Sequence, residues 1–97
     1  MIECGSRKIA KVGTPEQIVA NSLRMAWVEI EALDTNTGDV YWGNAYVRAV
    51  SGGQAGLPLR VIDSRGDRLR FENIDLSELW IDVRVINEGV TWAGVRQ

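Results

Sequence analysis

Met25-Ala26-Trp27-Val28-Glu29-Ile30-Glu31-Ala32-Leu33 is the stretch on which the fold turns. Val28, Ile30 and Ala32 fall on one side of an extended chain. Trp27, Glu29, Glu31 and Leu33 fall on the other. Alternation with period two marks a strand with one buried and one exposed face. A helix would instead repeat its apolar residues three and four apart. The same alternation recurs in Arg68-Leu69-Arg70-Phe71-Glu72, with Leu69 and Phe71 inward. It returns from Leu79 to Val85, where Leu79, Ile81, Val83 and Val85 share one face and Trp80, Asp82 and Arg84 the opposite one.

Shorter extended runs lie between these: Arg7 to Val12, Val40 to Trp42, Tyr46 to Val50, Leu57 to Val61 and Val90 to Ala93. Turn chemistry separates them at Gly13-Thr14-Pro15, Asp34 to Asp39, Asn73 to Glu78 and Asn87-Glu88-Gly89. Ser51 to Gly56, rich in glycine, reads as the most flexible stretch. Asp34 to Asp39 predicts a β-hairpin joining Met25–Leu33 to Val40–Trp42. Thr14 to Ala20 carries a helix-start signal, with Thr14 as a cap and Pro15 in the first turn. The β context outweighs it. The expectation is an all-β chain: one β-sandwich domain over residues 1–97, jelly-roll or a related Greek key, with roughly eight or nine short strands.

Composition narrows the function. The 97 residues are 45% hydrophobic and 25% charged, an ordinary globular balance. Eleven basic and thirteen acidic side chains give a formal charge of -2. A sequence-independent nucleic-acid binder needs excess cations to displace counterions, so no direct nucleic-acid contact is expected. No apolar run approaches the roughly 20 residues that span a bilayer, so no membrane partner is expected. Cys4 is the one cysteine, which rules out an internal disulfide and suits a reducing compartment. The N-terminus carries no secretory pattern, and synthesis in the cytoplasm is expected.

The chain has no histidine, the commonest general base and metal ligand near neutral pH. Without one, Cys4 lacks an activating partner. Glu29 with Glu31, and Asp63 with Asp67, are carboxylate pairs. On alternating strands and in turns, however, such residues are ordinarily solvated or bonded to nearby backbone. No catalytic, cofactor-binding or metal-binding residue is expected, and the chain reads as no enzyme. Arg65-Gly66-Asp67 spells the tripeptide that integrins recognise, but turn geometry is sufficient to explain its glycine.

Four tryptophans, Trp27, Trp42, Trp80 and Trp92, all fall in strand-like segments. Trp27 and Trp80 sit opposite the aliphatic face of their strands and so point away from the expected core. Outward indoles call for a cover, and aromatics concentrate at interfaces. The four indoles are therefore candidate interface residues. A platform for stacking sugars is the alternative use.

The order of motifs resembles a group of small virion proteins of tailed bacteriophages. It runs through Lys8-Ile9-Ala10, Gly13-Thr14-Pro15, Val28-Glu29-Ile30-Glu31-Ala32-Leu33, Asn36-Thr37-Gly38, Val40-Tyr41-Trp42-Gly43, Gly52-Gly53, Leu57-Pro58-Leu59, Asp75-Leu76-Ser77, Leu79-Trp80-Ile81-Asp82 and Asn87-Glu88-Gly89-Val90-Thr91-Trp92. Arg65-Gly66-Asp67 departs from the Pro-Gly-Glu turn common in that group. The resemblance implies a virion structural protein, made in the bacterial host cytoplasm. A capsid decoration or minor capsid protein is the first expectation, and a tail or neck protein the alternative. It implies a symmetric homo-oligomer, a trimer above all, in contact with the major capsid protein or other virion proteins. Met1 and Ile2, at the head of segment 1–6, would then belong to an arm that orders on a neighbour.

Overall fold

The computed structural model describes residues 1–50 and 52–97. Ten strands follow in chain order: β1 (Ile2–Ile9), β2 (Glu16–Gln17), β3 (Arg24–Ala32), β4 (Val40–Gly43), β5 (Leu57–Leu59), β6 (Val61–Ile62), β7 (Arg65–Gly66), β8 (Arg68–Asp75), β9 (Trp80–Val83) and β10 (Glu88–Arg96). A single 3-10 turn, Leu76–Glu78, separates β8 from β9. Sheet A has the order β1-β10-β3-β8 and sheet B the order β2-β9-β4-β5, while β6 and β7 form a small hairpin. The chain is all-β, as its alternation predicts.

Four antiparallel pairs make the frame: β1 with β10, β2 with β9, β3 with β8, and β4 with β5. First strand with last, second with second-last, and so inward, is a long strand ribbon wound on itself. That winding is the jelly roll, one of the two arrangements expected. The count rises to ten through β6 and β7. Asp63 (φ 52°) and Ser64 (φ 63°) sit between them in the left-handed region, as a two-residue hairpin turn requires. Gly66 presses on the Ala32 carbonyl, and a Cβ there would lie 1.9 Å from that oxygen. The glycine of Arg65-Gly66-Asp67 is explained by packing.

The core lies between the sheets. Met25, Val28, Ile30, Ala32, Val90 and Trp92 of sheet A meet Val40, Leu59, Ile81 and Val83 of sheet B. Ile9, Ile18, Leu76 and Leu79 close its ends. These side chains are at most 8% exposed. Each apolar residue in the alternating pattern contributes about 1.5–3 kcal/mol when fully buried.

Three expectations need correction. The hairpin between Met25–Leu33 and Val40–Trp42 does not form, because β3 already pairs with β10 on one side and β8 on the other. Residues 33–39 cross to sheet B instead, where β4 pairs with β9 and β5. Tyr46 to Val50 is not a strand of either sheet; Arg48 makes only an isolated bridge to Ala55. Its alternation is real, but Val47 and Ala49 face the flat of sheet B, not a neighbouring strand. Segment 1–6 is not a free arm either. Ile2 to Ser6 pair with Val95 to Thr91 as the first part of β1. Ser51, in the glycine-rich stretch, lies outside the described residues.

Candidate functional site

The two sheets turn very different outer faces to the surroundings. On sheet B, Tyr41 of β4 and Trp80 of β9 point outward, and Val47 and Ala49 of the chain's own loop pack on them. Asp82 fixes that cover. Its side chain is fully buried. One oxygen accepts from the Gly13 N–H (3.1 Å) and the Val83 N–H (2.9 Å), and the other from the Ala49 N–H (2.9 Å). Arg84 completes the seal: its guanidinium donates to the Ala49 carbonyl (2.8 Å) and the Tyr41 hydroxyl (3.0 Å). A buried carboxylate is tolerated only when hydrogen-bond donors replace its water. Here three backbone N–H groups do so.

The outer face of sheet A has no such cover among the described residues. Its middle is built from small side chains: Cys4 of β1 stands opposite Ala93 of β10, and Ser6 opposite Thr91. Trp27, Glu29 and Glu31 of β3 rise along one side. Cys4, Thr91 and Ala93 with Trp27, Glu29, Glu31 and Arg68 bound an open trough of about 370 Å³. Ile2, 78% exposed and opposite Val95, extends the apolar surface at one end.

The far side of this face is a charge ladder. Glu31 lies across from Arg68, and Glu29 from Arg70. Arg68 donates to Glu31 at 2.9 Å and comes within 3.6 Å of Glu29. Arg70 lies 3.6 Å from both Glu29 and Glu72. The hydrogen bond and charge of Glu31, with Glu29 behind it, raise the Arg68 pKa. The carboxylate pair singled out from the sequence is thus already paired with guanidinium groups. Asp67 of the second pair accepts the Arg60 N–H at 2.9 Å. Among the described residues no three metal-ligating side chains cluster.

The four indoles separate. Trp92 is 8% exposed in the core. Trp42 packs on the core, edge-on to Phe71 with centroids 5.4 Å apart. Trp80 lies against the Tyr41–Val47–Ala49 cluster. Trp27 alone stands on the open face, with the Arg70 guanidinium 4.5 Å from its ring centroid. Met1 and Ile2 are 82% and 78% exposed at the start of β1.

The residues that lock the frame stand in the sequence only as turns and as motifs of the resemblance, with no structural role attached. Asn36 exchanges hydrogen bonds with Gly89, its side-chain amide donating to the carbonyl (2.8 Å) and its oxygen accepting the N–H (3.2 Å). The Glu88 carboxylate accepts from the Thr37 N–H and hydroxyl and from the Gly38 N–H. Asn36-Thr37-Gly38 and Glu88-Gly89 are two halves of one clasp. At the opposite end, Asp75 accepts from Ser22, Leu23 and Ser77. Those bonds, Ser22 first, hold its carboxyl far below the usual carboxylate range. Its signal was present in the sequence: an Asp two residues before a Ser is a local capping pattern.

No protein-family model matches this chain, and neither a curated protein nor a solved structure matches it.

Proposed function

We propose that this chain is a non-enzymatic structural component of a tailed-phage particle. In this reading it is a capsid decoration or minor capsid protein that docks on the major capsid protein through the outer face of sheet A. The observation that carries the proposal is the contrast between the outer faces. Sheet B is sealed by the chain's own loop, whereas on sheet A Ile2, Cys4 and Ala93 are exposed and Val95 and Trp27 only half-buried, with no loop over them among the described residues. Interface centres favour aromatic side chains and arginine, with charges at the rim, and Trp27 with Arg70 over it supplies that centre. The ladder from Arg68 to Glu72 supplies that rim.

The motif resemblance supports the choice of partner. Its Asn36-Thr37-Gly38 and Asn87-Glu88-Gly89 motifs meet in space, so these separate stretches serve one frame. A small domain without disulfides also gains stability from any partner that binds only its folded form. Symmetric association of copies on the shell belongs to the same reading, with the virion as final location. The sugar-stacking alternative is less favoured, because Arg70 occupies one face of the outward Trp27 ring.

Ala93→Glu tests the reading by placing a carboxylate in the middle of the open face. Co-sedimentation with capsid shells stripped of accessory proteins is expected to weaken about tenfold or more, as for an interfacial charge without a partner. The circular-dichroism spectrum should not change. Undiminished binding by the folded variant would remove sheet A as the docking face.

A further inference from the structure

Every open sandwich has four sheet edges, and unpaired edge backbone invites other strands, so proteins blunt it. Three of the four edges here are blunted. β2 is two residues long. β5 is three residues with Pro58 at its centre, and proline removes an edge donor. β8 bends where Asn73 adopts φ 51°, and its outward residues Arg68, Arg70 and Glu72 are charged. The fourth edge is β1, eight residues long, without proline and without a positive-φ residue.

The phase of its ladder is fixed. Arg96 N–H donates to the Met1 carbonyl at 2.9 Å, with Glu3 opposite Gly94 and Gly5 opposite Trp92. Odd-numbered residues therefore turn their N–H and C=O toward β10. Ile2, Cys4, Ser6 and Lys8 turn theirs to the free edge, as antiparallel alternation demands. No group among the described residues bonds them there. Beside this edge an open trough of about 400 Å³ runs between β1 and segment 18–23.

We propose that β1 pairs antiparallel with β1 of a second copy of this chain, about a twofold axis at Gly5, joining two A sheets into one. Only even residues can exchange edge hydrogen bonds. The register that pairs Ile2 with Lys8, and Cys4 with Ser6, uses all four in both copies, giving about eight new bonds. The same register sets Glu3 directly opposite Arg7 of the second copy, twice. Opposite charges directly across a ladder stabilise it. Glu3 and Arg7 keep partial exposure, with side chains 29% and 33% accessible beside Arg96 and Glu16. Registers two residues away lose edge bonds and face Glu3 or Arg7 with Gly5. Gly5 suits the axis for a second reason: a Cβ there would come within 2.9 Å of the Trp92 ring, so no side chain stands in the way. The pairing deepens the assembly reading and rests on it for its biological use, but it is a property of the isolated chain.

The test uses the full chain in reducing buffer. Sedimentation equilibrium should give twice the 10.8 kDa chain mass. A monomer or a trimer overturns the proposal. Ser6→Pro removes one edge N–H and leaves the bonds to β10; it should give a folded monomer, and a persistent dimer overturns the pairing. A second readout does not depend on that variant folding. Mix wild type, whose thiol is Cys4, with the double variant Cys4→Ser, Ser6→Cys, and oxidise. Opposed strand residues lie within disulfide reach, whereas Cys4 of both copies would not. Cross-linked heterodimer should form, and neither chain alone should cross-link. Wild type that cross-links to itself, or a mixture that does not cross-link, overturns the register. Shell binding scored on the same proteins separates the two proposals: a monomer that docks ends the pairing alone, and a dimer that does not dock ends the docking alone.

Discussion

The outer faces of sheets A and B carry similar sequence patterns and meet different fates. On β3, Trp27, Glu29 and Glu31 alternate with aliphatic residues; on β9, Trp80 and Asp82 do the same. Sheet B receives Val47 and Ala49 on its indole and buries Asp82 completely. Sheet A receives nothing from this chain among the described residues, and Arg70 merely lies over Trp27. An outward tryptophan is thus part of a second small core in one sheet and an available surface in the other. The difference lies in one connection, the one between β4 and its edge neighbour β5. The stretch between β4 and β5 is long enough to fold back over sheet B.

Removing the Asp82 carboxylate should disturb this contrast most. In Asp82→Ala, the Gly13 and Ala49 N–H groups lose their acceptor and the loop loses its anchor. A loss of about 3 kcal/mol in urea unfolding is expected from the buried Ala49 donor and the half-buried Gly13 donor left unsatisfied. Dye binding to the uncovered sheet B face should rise; unchanged stability would mean that the loop is held by its apolar contacts alone. Trp80→Ala comes next, at about 2 kcal/mol, because a half-buried indole leaves a cavity under the loop. Trp27→Ala should cost less, about 1 kcal/mol, because its indole is half-buried as well but loses only the Arg70 contact and its neighbours on the open face, with no loop to collapse. It should nevertheless weaken shell docking, and equal stability losses for the two indoles would erase the contrast between the two faces.

Acid sharpens the comparison further, since the corner pin Asp75 serves sheet A. Its folded pKa lies below the unfolded value of about 3.9. The unfolded chain therefore binds the proton first. The contribution of Asp75 is complete above about pH 4 to 5 and is lost as pH falls below that toward the folded pKa. Asp75→Asn should flatten that acid limb of the stability curve and leave it parallel to wild type near neutrality. The smallest effect belongs to the ladder. Arg68→Ala should barely move the unfolding midpoint, and what change it makes should fade in high salt.

The strands themselves were legible where one face is aliphatic. β3, β8 and β9 each show the two-residue period in their own residues. Their partners were not legible. Asp34 to Asp39 has the composition of a hairpin turn, and the same composition serves a crossing between sheets. A local sequence specifies that the chain reverses, not which plane it returns in. β1 left a weaker trace, since Cys4, Gly5 and Ser6 carry little apolar signal. Its place in the sheet comes from backbone bonds to β10, which any residue except proline supplies. Of the candidate interface residues, Trp27 and Trp80 were correctly placed on the faces away from the core. That only Trp80 receives a loop depended on residues 47–49, some thirty positions from it in the chain.

The sequence by itself determined an all-β chain with its alternating faces and turn positions, because periodicity is a property of neighbouring residues. It also set the absence of histidine and of a second cysteine, which bounds the chemistry available. Only the tertiary structure decided the jelly-roll pairing, the clasp of Asn36 to Gly89, the burial of Asp82 and the open face of sheet A. Each of these depends on which distant segment arrives over a given strand, and burial belongs to that meeting, not to either segment alone.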